Sequence, residues 1–151
     1  MTMRTTHVAH PIPEGDRILE PMIALARCSN LHRIVVAGAK SVELMFDLHR
    51  RGYARAAGTA YSGRPAGQYD VALVDWRRRT VKELGTTLSW LVDYICAAGV
   101  LVIWVDPQKP AAIQNLHSAL EKRSFVVEAG IVREDGNAVS ARRRDSISKV
   151  A

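Results

Sequence analysis

A chain of 151 residues, 48% of them hydrophobic, can bury one substantial core, whereas two separate cores would each be undersized. Its net charge of +6 and pI near 9.7 attract phosphate-rich polymers and anionic surfaces without specifying a fold. The longest apolar runs, around Ile34 to Ala37 and Val100 to Val105, fall far short of the roughly 20 residues that a helical membrane span requires.

Arg4 is followed by no apolar core with a small-residue cleavage site, so a secretory leader is not expected. Residues 1–12, with Pro11 and no apolar period, read as a flexible arm, 13–144 as one domain and 145–151 as a tail. Helical spacing begins with Ile18, Leu19, Met22, Ile23, Leu25 and Ala26, interrupted by Pro21, which should kink that helix or mark its first turn. The run Ile34-Val35-Val36-Ala37, closed by Gly38, is the pattern of a strand buried on both faces. Ser41 is placed to cap a helix through Arg51 that turns Val42, Met45, Phe46 and Leu48 inward, with Gly52 as its stop.

A weaker strand over Ala54 to Ala60 precedes a loop with Gly63, Pro65 and Gly67, and then the clearest strand, Tyr69 to Asp75. Leu84, Leu88, Leu91, Val92 and Ile95 predict a helix from Val81 to Ala97 ended by Gly99, and Val100 to Val105 a further buried strand. Pro107 and Pro110 lead into a helix through Arg123 with Ile113, Leu116 and Leu120 inward. Phe125 to Val132 and Asn137 to Ala141 alternate about Glu134-Asp135-Gly136-Asn137 as a closing β-hairpin. Apolar strands alternating with amphipathic helices require a mostly parallel sheet covered on both faces, so the fold class is three-layer α/β with a C-terminal antiparallel hairpin. Cys28 and Cys96 fall in helix-like apolar surroundings and read as unpaired thiols, which suits a reducing cytoplasm.

Between residues 31 and 144 this order, with its phrases, resembles the class I S-adenosylmethionine-dependent methyltransferases. Val35-Val36-Ala37-Gly38-Ala39-Lys40-Ser41-Val42-Glu43-Leu44 stands in the place of that family's first glycine-rich motif, and Gln68 to Asp75 is similar to its fourth strand. Cys96-Ala97-Ala98-Gly99-Val100-Leu101-Val102-Ile103 resembles the turn and fifth strand, and Arg123 to Glu128 the start of the sixth. Only Tyr61 to Gln68 separates the second strand from the fourth, too short for the family's third strand and its helix. The resemblance therefore implies six strands, ordered 2-1-4-5-7-6 in the family's numbering, and a shortened, degenerate Rossmann-like sheet. It also implies S-adenosylmethionine as the cofactor to consider, held by Gly38, Ala39, Lys40, Thr59 and Asp75.

Several of these positions depart from the family pattern. The first motif retains only Gly38 where two glycines and an acid are usual, and Lys40 sets a cation near a ligand that is itself cationic. Gly58-Thr59-Ala60-Tyr61-Ser62 carries no carboxylate for the ribose hydroxyls, and Thr59 offers only one hydroxyl. Asp75-Trp76 stands where amino-methylating members have an acid or amide, prolines and an aromatic, but no proline pair follows; Trp76 reads as a core or edge residue.

Ligands of open α/β sheets bind at the carboxyl ends of the strands, where Gly38, Thr59, Asp75 and Asp106 fall. Neighbouring strands lie about 4.8 Å apart, so Asp75 and Asp106 could share a proton or cation as candidate catalytic carboxylates, or serve as turn-forming and amide-binding residues. Arg77, Arg78, Arg79 and Arg142, Arg143, Arg144 form two clusters, readable as a solvated surface or as an anion or nucleic-acid patch. His7, His10, His32, His49 and His117 show no metal-ligand spacing, and Gly38-Ala39-Lys40-Ser41 lacks the glycine five residues before the Lys that a phosphate loop needs. The expected function is a non-catalytic binding or regulatory module, with self-association as a homodimer or binding to a protein partner. The alternatives are an active methyltransferase and a basic nucleic-acid-associated regulator.

Overall fold

The computed structural model describes residues 14–38, 40–58, 69–77, 80–105, 110–134 and 136–144. In chain order the elements are α1 (Glu14–Ala26), β1 (Ile34–Gly38), α2 (Ser41–Arg50), β2 (Ala56–Gly58), β3 (Tyr69–Asp75) and α3 (Val81–Leu91), followed by β4 (Ile95–Val105), α4 (Pro110–Lys122), β5 (Phe125–Arg133) and β6 (Gly136–Arg143). The described strands form one sheet in the order β2-β1-β3-β4-β6-β5. The first four run parallel, and β6 lies antiparallel between β4 and β5. This is the order expected when a doubly wound sheet loses its third strand and closes with a hairpin.

The continuous apolar strands are explained by alternation between two cores. Ile34 and Val36 of β1, Val71 and Leu73 of β3, and Val100, Val102 and Trp104 of β4 pack with Ile18, Leu19 and Met22 of α1 and Leu44 and Leu48 of α2. Val35, Ala37, Ala72, Val74, Leu101, Ile103 and Val105 point the other way, onto Leu84, Leu88 and Leu91 of α3 and Leu116 and Leu120 of α4. Burying each large aliphatic side chain is worth about 1.5–3 kcal/mol, so the two faces of these strands are filled by apolar side chains up to Asp75 at the end of β3.

The structure corrects several local expectations. Ser41 is the first helical residue of α2 and caps nothing; Lys40 holds the N-cap position and makes no side-chain cap bond. Leu44 and Leu48 are the buried residues of that helix, while Val42 and Phe46 are 40% and 53% exposed, because the sheet selects one stripe from a helix apolar on more than one side. Pro21 does not end α1, which continues to Ala26. The weaker second strand is limited to Ala56–Gly58 among the described residues.

The largest correction concerns Ile95 to Gly99, expected as a helix end and turn. Helix α3 stops at Leu91, and Ile95 to Gly99, Cys96 included, belong to β4. Ile95 opposes Tyr69, whose N–H donates to the Tyr94 carbonyl, and the Arg143 guanidinium takes the Val92 and Ile95 carbonyls. Partners distant in sequence thus satisfy the backbone that helical continuation would have satisfied locally. Gly99 serves close packing rather than a helix stop, for an added Cβ would lie 2.4 Å from Ile95 Cγ2.

Local signals hold elsewhere. Thr80 and Glu83 form a capping box at the start of α3, the Thr80 hydroxyl accepting from the Glu83 N–H at 3.1 Å and Glu83 accepting from the Thr80 N–H at 3.2 Å. Gly52 ends α2 at φ +97°, as its position predicts. Cys28, packed against the α1 side of the core, has its thiol pushed up from 9.0 to about 11 by burial. At pH 8 we expect its alkylation to run about 100-fold slower than that of the same thiol in urea, since the attacking species is the thiolate; equal rates in the folded and unfolded chain would contradict this.

Candidate functional site

At the carboxyl ends of the parallel strands, Gly38 of β1, Asp75 of β3 and Trp104 of β4 lie side by side in register. Gly38 adopts φ +104°, and a Cβ there would stand 2.1 Å from the Asp75 carbonyl oxygen. This strand end therefore requires glycine for its own fit against β3. Lys40 follows at the exposed start of α2.

The Asp75 side chain is fully buried. Arg77 Nε donates to one carboxylate oxygen at 2.7 Å and its Nη2 to the other at 2.6 Å, a two-pronged pair of the strongest kind. The Arg77 N–H adds a 3.3 Å bond. Between them, Trp76 is buried, its N–H donating to the Trp104 carbonyl and its indole to the Thr80 carbonyl, both at 3.0 Å. Two residues along a chain leaving a strand, a guanidinium reaches back over the carboxylate; Asp-Trp-Arg was the legible signal, although sequence grouping assigns Arg77 to a surface cluster.

Ala39, Thr59, Asp106, Arg78 and Arg79 lie outside the described residues, so the expected meeting of Asp75 with Asp106 does too. The second arginine cluster is separated by the alternation of β6. Arg142 Nε donates to Glu128 at 2.8 Å, Arg143 donates to the Val92 and Ile95 carbonyls between α3 and β4, and Arg144 is exposed, its N–H on the Ser124 carbonyl at 2.7 Å. The hairpin register, invisible along the sequence, decides each of these partners.

At the opposite, amino ends of the strands a groove of about 860 Å³ opens beside the end of α1. Arg27, His32, Asp70, Glu128 and Arg142 give it a charged rim balanced in sign. Asp70 accepts from the Arg33 N–H at 2.9 Å, and His32 Nδ1 accepts from the Ser29 N–H at 3.1 Å. Sequence reasoning missed this groove because its residues come from five separated segments. Among the described residues, no three His, Cys, Asp or Glu side chains are grouped to hold a metal ion, and no helix is long and apolar enough to cross a membrane.

No protein-family model and no curated protein sequence matches the chain. Solved structures do match it. A SAM-dependent methyltransferase from Aquifex aeolicus superposes with a TM-score of 0.59 over 86% of this chain and 93% of that one, at 12% identity. The 1,6-didemethyltoxoflavin-N1-methyltransferase of Burkholderia thailandensis gives 0.58 over 86% and 79%, at 14% identity. The ribosomal protein L11 methylase of Lactobacillus delbrueckii subsp. bulgaricus gives 0.54 over 74% and 70%, at 12% identity. The fold is thus the class I methyltransferase-like Rossmann fold, as the sequence phrases implied.

Proposed function

We propose that this chain is a non-catalytic binding or regulatory module built on the methyltransferase fold. The observation that carries this reading is the closed state of Asp75. Both of its oxygens are held by Arg77, so the carboxylate that would accept a proton from a substrate amine is already satisfied. The described residues also fit S-adenosylmethionine poorly. The Asp75 carboxylate is already paired with Arg77, and the Gly38 backbone is fitted to the Asp75 carbonyl rather than left open to a ligand.

The reading treats residues 13–144 as one cytoplasmic domain whose work is association with a protein, a second copy first. The rival, an active transferase using Lys40 and Asp75, requires Arg77 to release Asp75. The nucleic-acid reading gains little support, since Arg77, Arg142 and Arg143 are engaged within the chain. Calorimetric titration of the full chain with S-adenosylmethionine is the test, with no saturable heat expected up to about 1 mM ligand. Saturable micromolar binding overturns the non-catalytic reading.

A further inference from the structure

The outermost strand β5 is nine residues long, and among the described residues no strand pairs with its free side. Proteins usually blunt such edges by brevity, by charged residues or Pro, or by a bulge. The opposite edge follows this rule, β2 being three residues long. In β5 the charged residue Glu128 and its register shift lie in the first half, and beyond them Ala129-Gly130-Ile131-Val132 presents four uncharged residues in succession, with Val132 82% exposed.

A register shift fixes which way these residues face. Val127 opposes Ala141 while Ala129 opposes Ser140, so Glu128 is the extra residue of a bulge. Glu128 and Ala129 both line the groove on the α1 side, with Ser140 and Arg142. Beyond them alternation is regular. Ile131 opposes Ala138, which belongs to the α1-side core, and Gly130 opposes Val139, which belongs to the other. Ala129, Ile131 and Arg133 thus share the α1 face with Glu128, and Gly130 and Val132 share the α4 face.

We propose that two copies of this chain pair edge to edge through β5, antiparallel about a two-fold axis at Ile131. Ile131 then meets the partner's Ile131, and Val132 covers the partner's Gly130, which has no Cβ to obstruct it. Arg133 stands opposite the partner's Ala129, beside the partner's Glu128 on the same face, and the symmetry makes this ion pair twice. Centring the axis on Val132 instead would set Ile131 against the partner's Arg133 and lose both ion pairs. Because a two-fold axis of this kind is perpendicular to the sheet, the two grooves lie on one side of a continuous twelve-stranded sheet and approach across the seam. The pairing rests on the self-association proposed above, to which it gives a surface and register, and is independent of whether a cofactor binds.

Sedimentation equilibrium of the full chain should give a concentration-dependent mass approaching twice 16.7 kDa. Val132→Lys, at an exposed position, should weaken the dimer by about tenfold or more while leaving the melting temperature unchanged at concentrations low enough to keep both chains monomeric. Phe46→Glu, on the exposed face of α2, should leave the dimer intact. Directly opposed residues of antiparallel strands have Cα atoms about 4.5–5.5 Å apart, within the span of a disulfide. Mild oxidation should therefore link Ile131→Cys into a covalent dimer, while the parent chain with only Cys28 and Cys96 stays unlinked. A parent chain monomeric up to about 1 mM, a dimer indifferent to Val132→Lys or abolished by Phe46→Glu, or an Ile131→Cys chain that does not link, each overturns the proposal. Cofactor titration reads the non-catalytic reading separately, so either can fail alone.

Discussion

Gly38→Ala should destabilise the fold by at least about 3 kcal/mol, measured as the shift in urea midpoint, whether or not any ligand is present. Two independent costs combine at this residue. Its φ of +104° is a conformation that L side chains rarely adopt, and the new Cβ would be 2.1 Å from the Asp75 carbonyl oxygen, which β3 holds in place. Neither strand can yield, because Val36, Ala37, Leu73 and Val74 immediately before this point are packed into the two cores. If this glycine served only a ligand's approach, the alanine variant would melt normally and lose only binding. That outcome would refute the structural role assigned here to Gly38.

The second large effect is expected at Arg77. Arg77→Met leaves the Asp75 carboxylate fully buried without the guanidinium, and removing one partner of a buried pair typically costs about 3–5 kcal/mol. For a chain of this size that is a fall in melting temperature of roughly 10 °C. Asp75→Asn combined with Arg77→Met should recover part of the loss, because the stranded charge is gone. A double-mutant cycle measures that coupling directly. Additive single losses would mean that the two side chains act separately, and the argument for a closed Asp75 would fail with them.

Much of the molecule was legible because its signals are local. Ile34 to Gly38 and Tyr69 to Asp75 were readable to the residue as buried strands, since no other element tolerates so continuous an apolar run at that length. Gly52 marks the end of α2 by a bond made within a few residues, its N–H donating to the His49 carbonyl. The strand order was implied by the resemblance to the class I methyltransferases, with the third strand dropped because the eight residues Tyr61 to Gln68 are too few for another helix and strand.

Long-range partners determined the rest. Ile95 to Gly99 carries helical spacing yet forms strand, because Tyr69 and the Arg143 guanidinium supply backbone partners from 26 and 48 residues away. Phe46 and Leu44 are equally apolar in sequence, and only the position of α2 on the sheet buries one and exposes the other. At the candidate site, the sequence alone placed Gly38 and Asp75 at neighbouring strand ends. That Gly38 is fitted to the Asp75 backbone, and that Arg77 closes the carboxylate, was decided by register and side-chain reach. Periodicity records which face of an element is apolar; what a buried charge pairs with depends on where other elements bring their atoms, and no single stretch of chain contains that information.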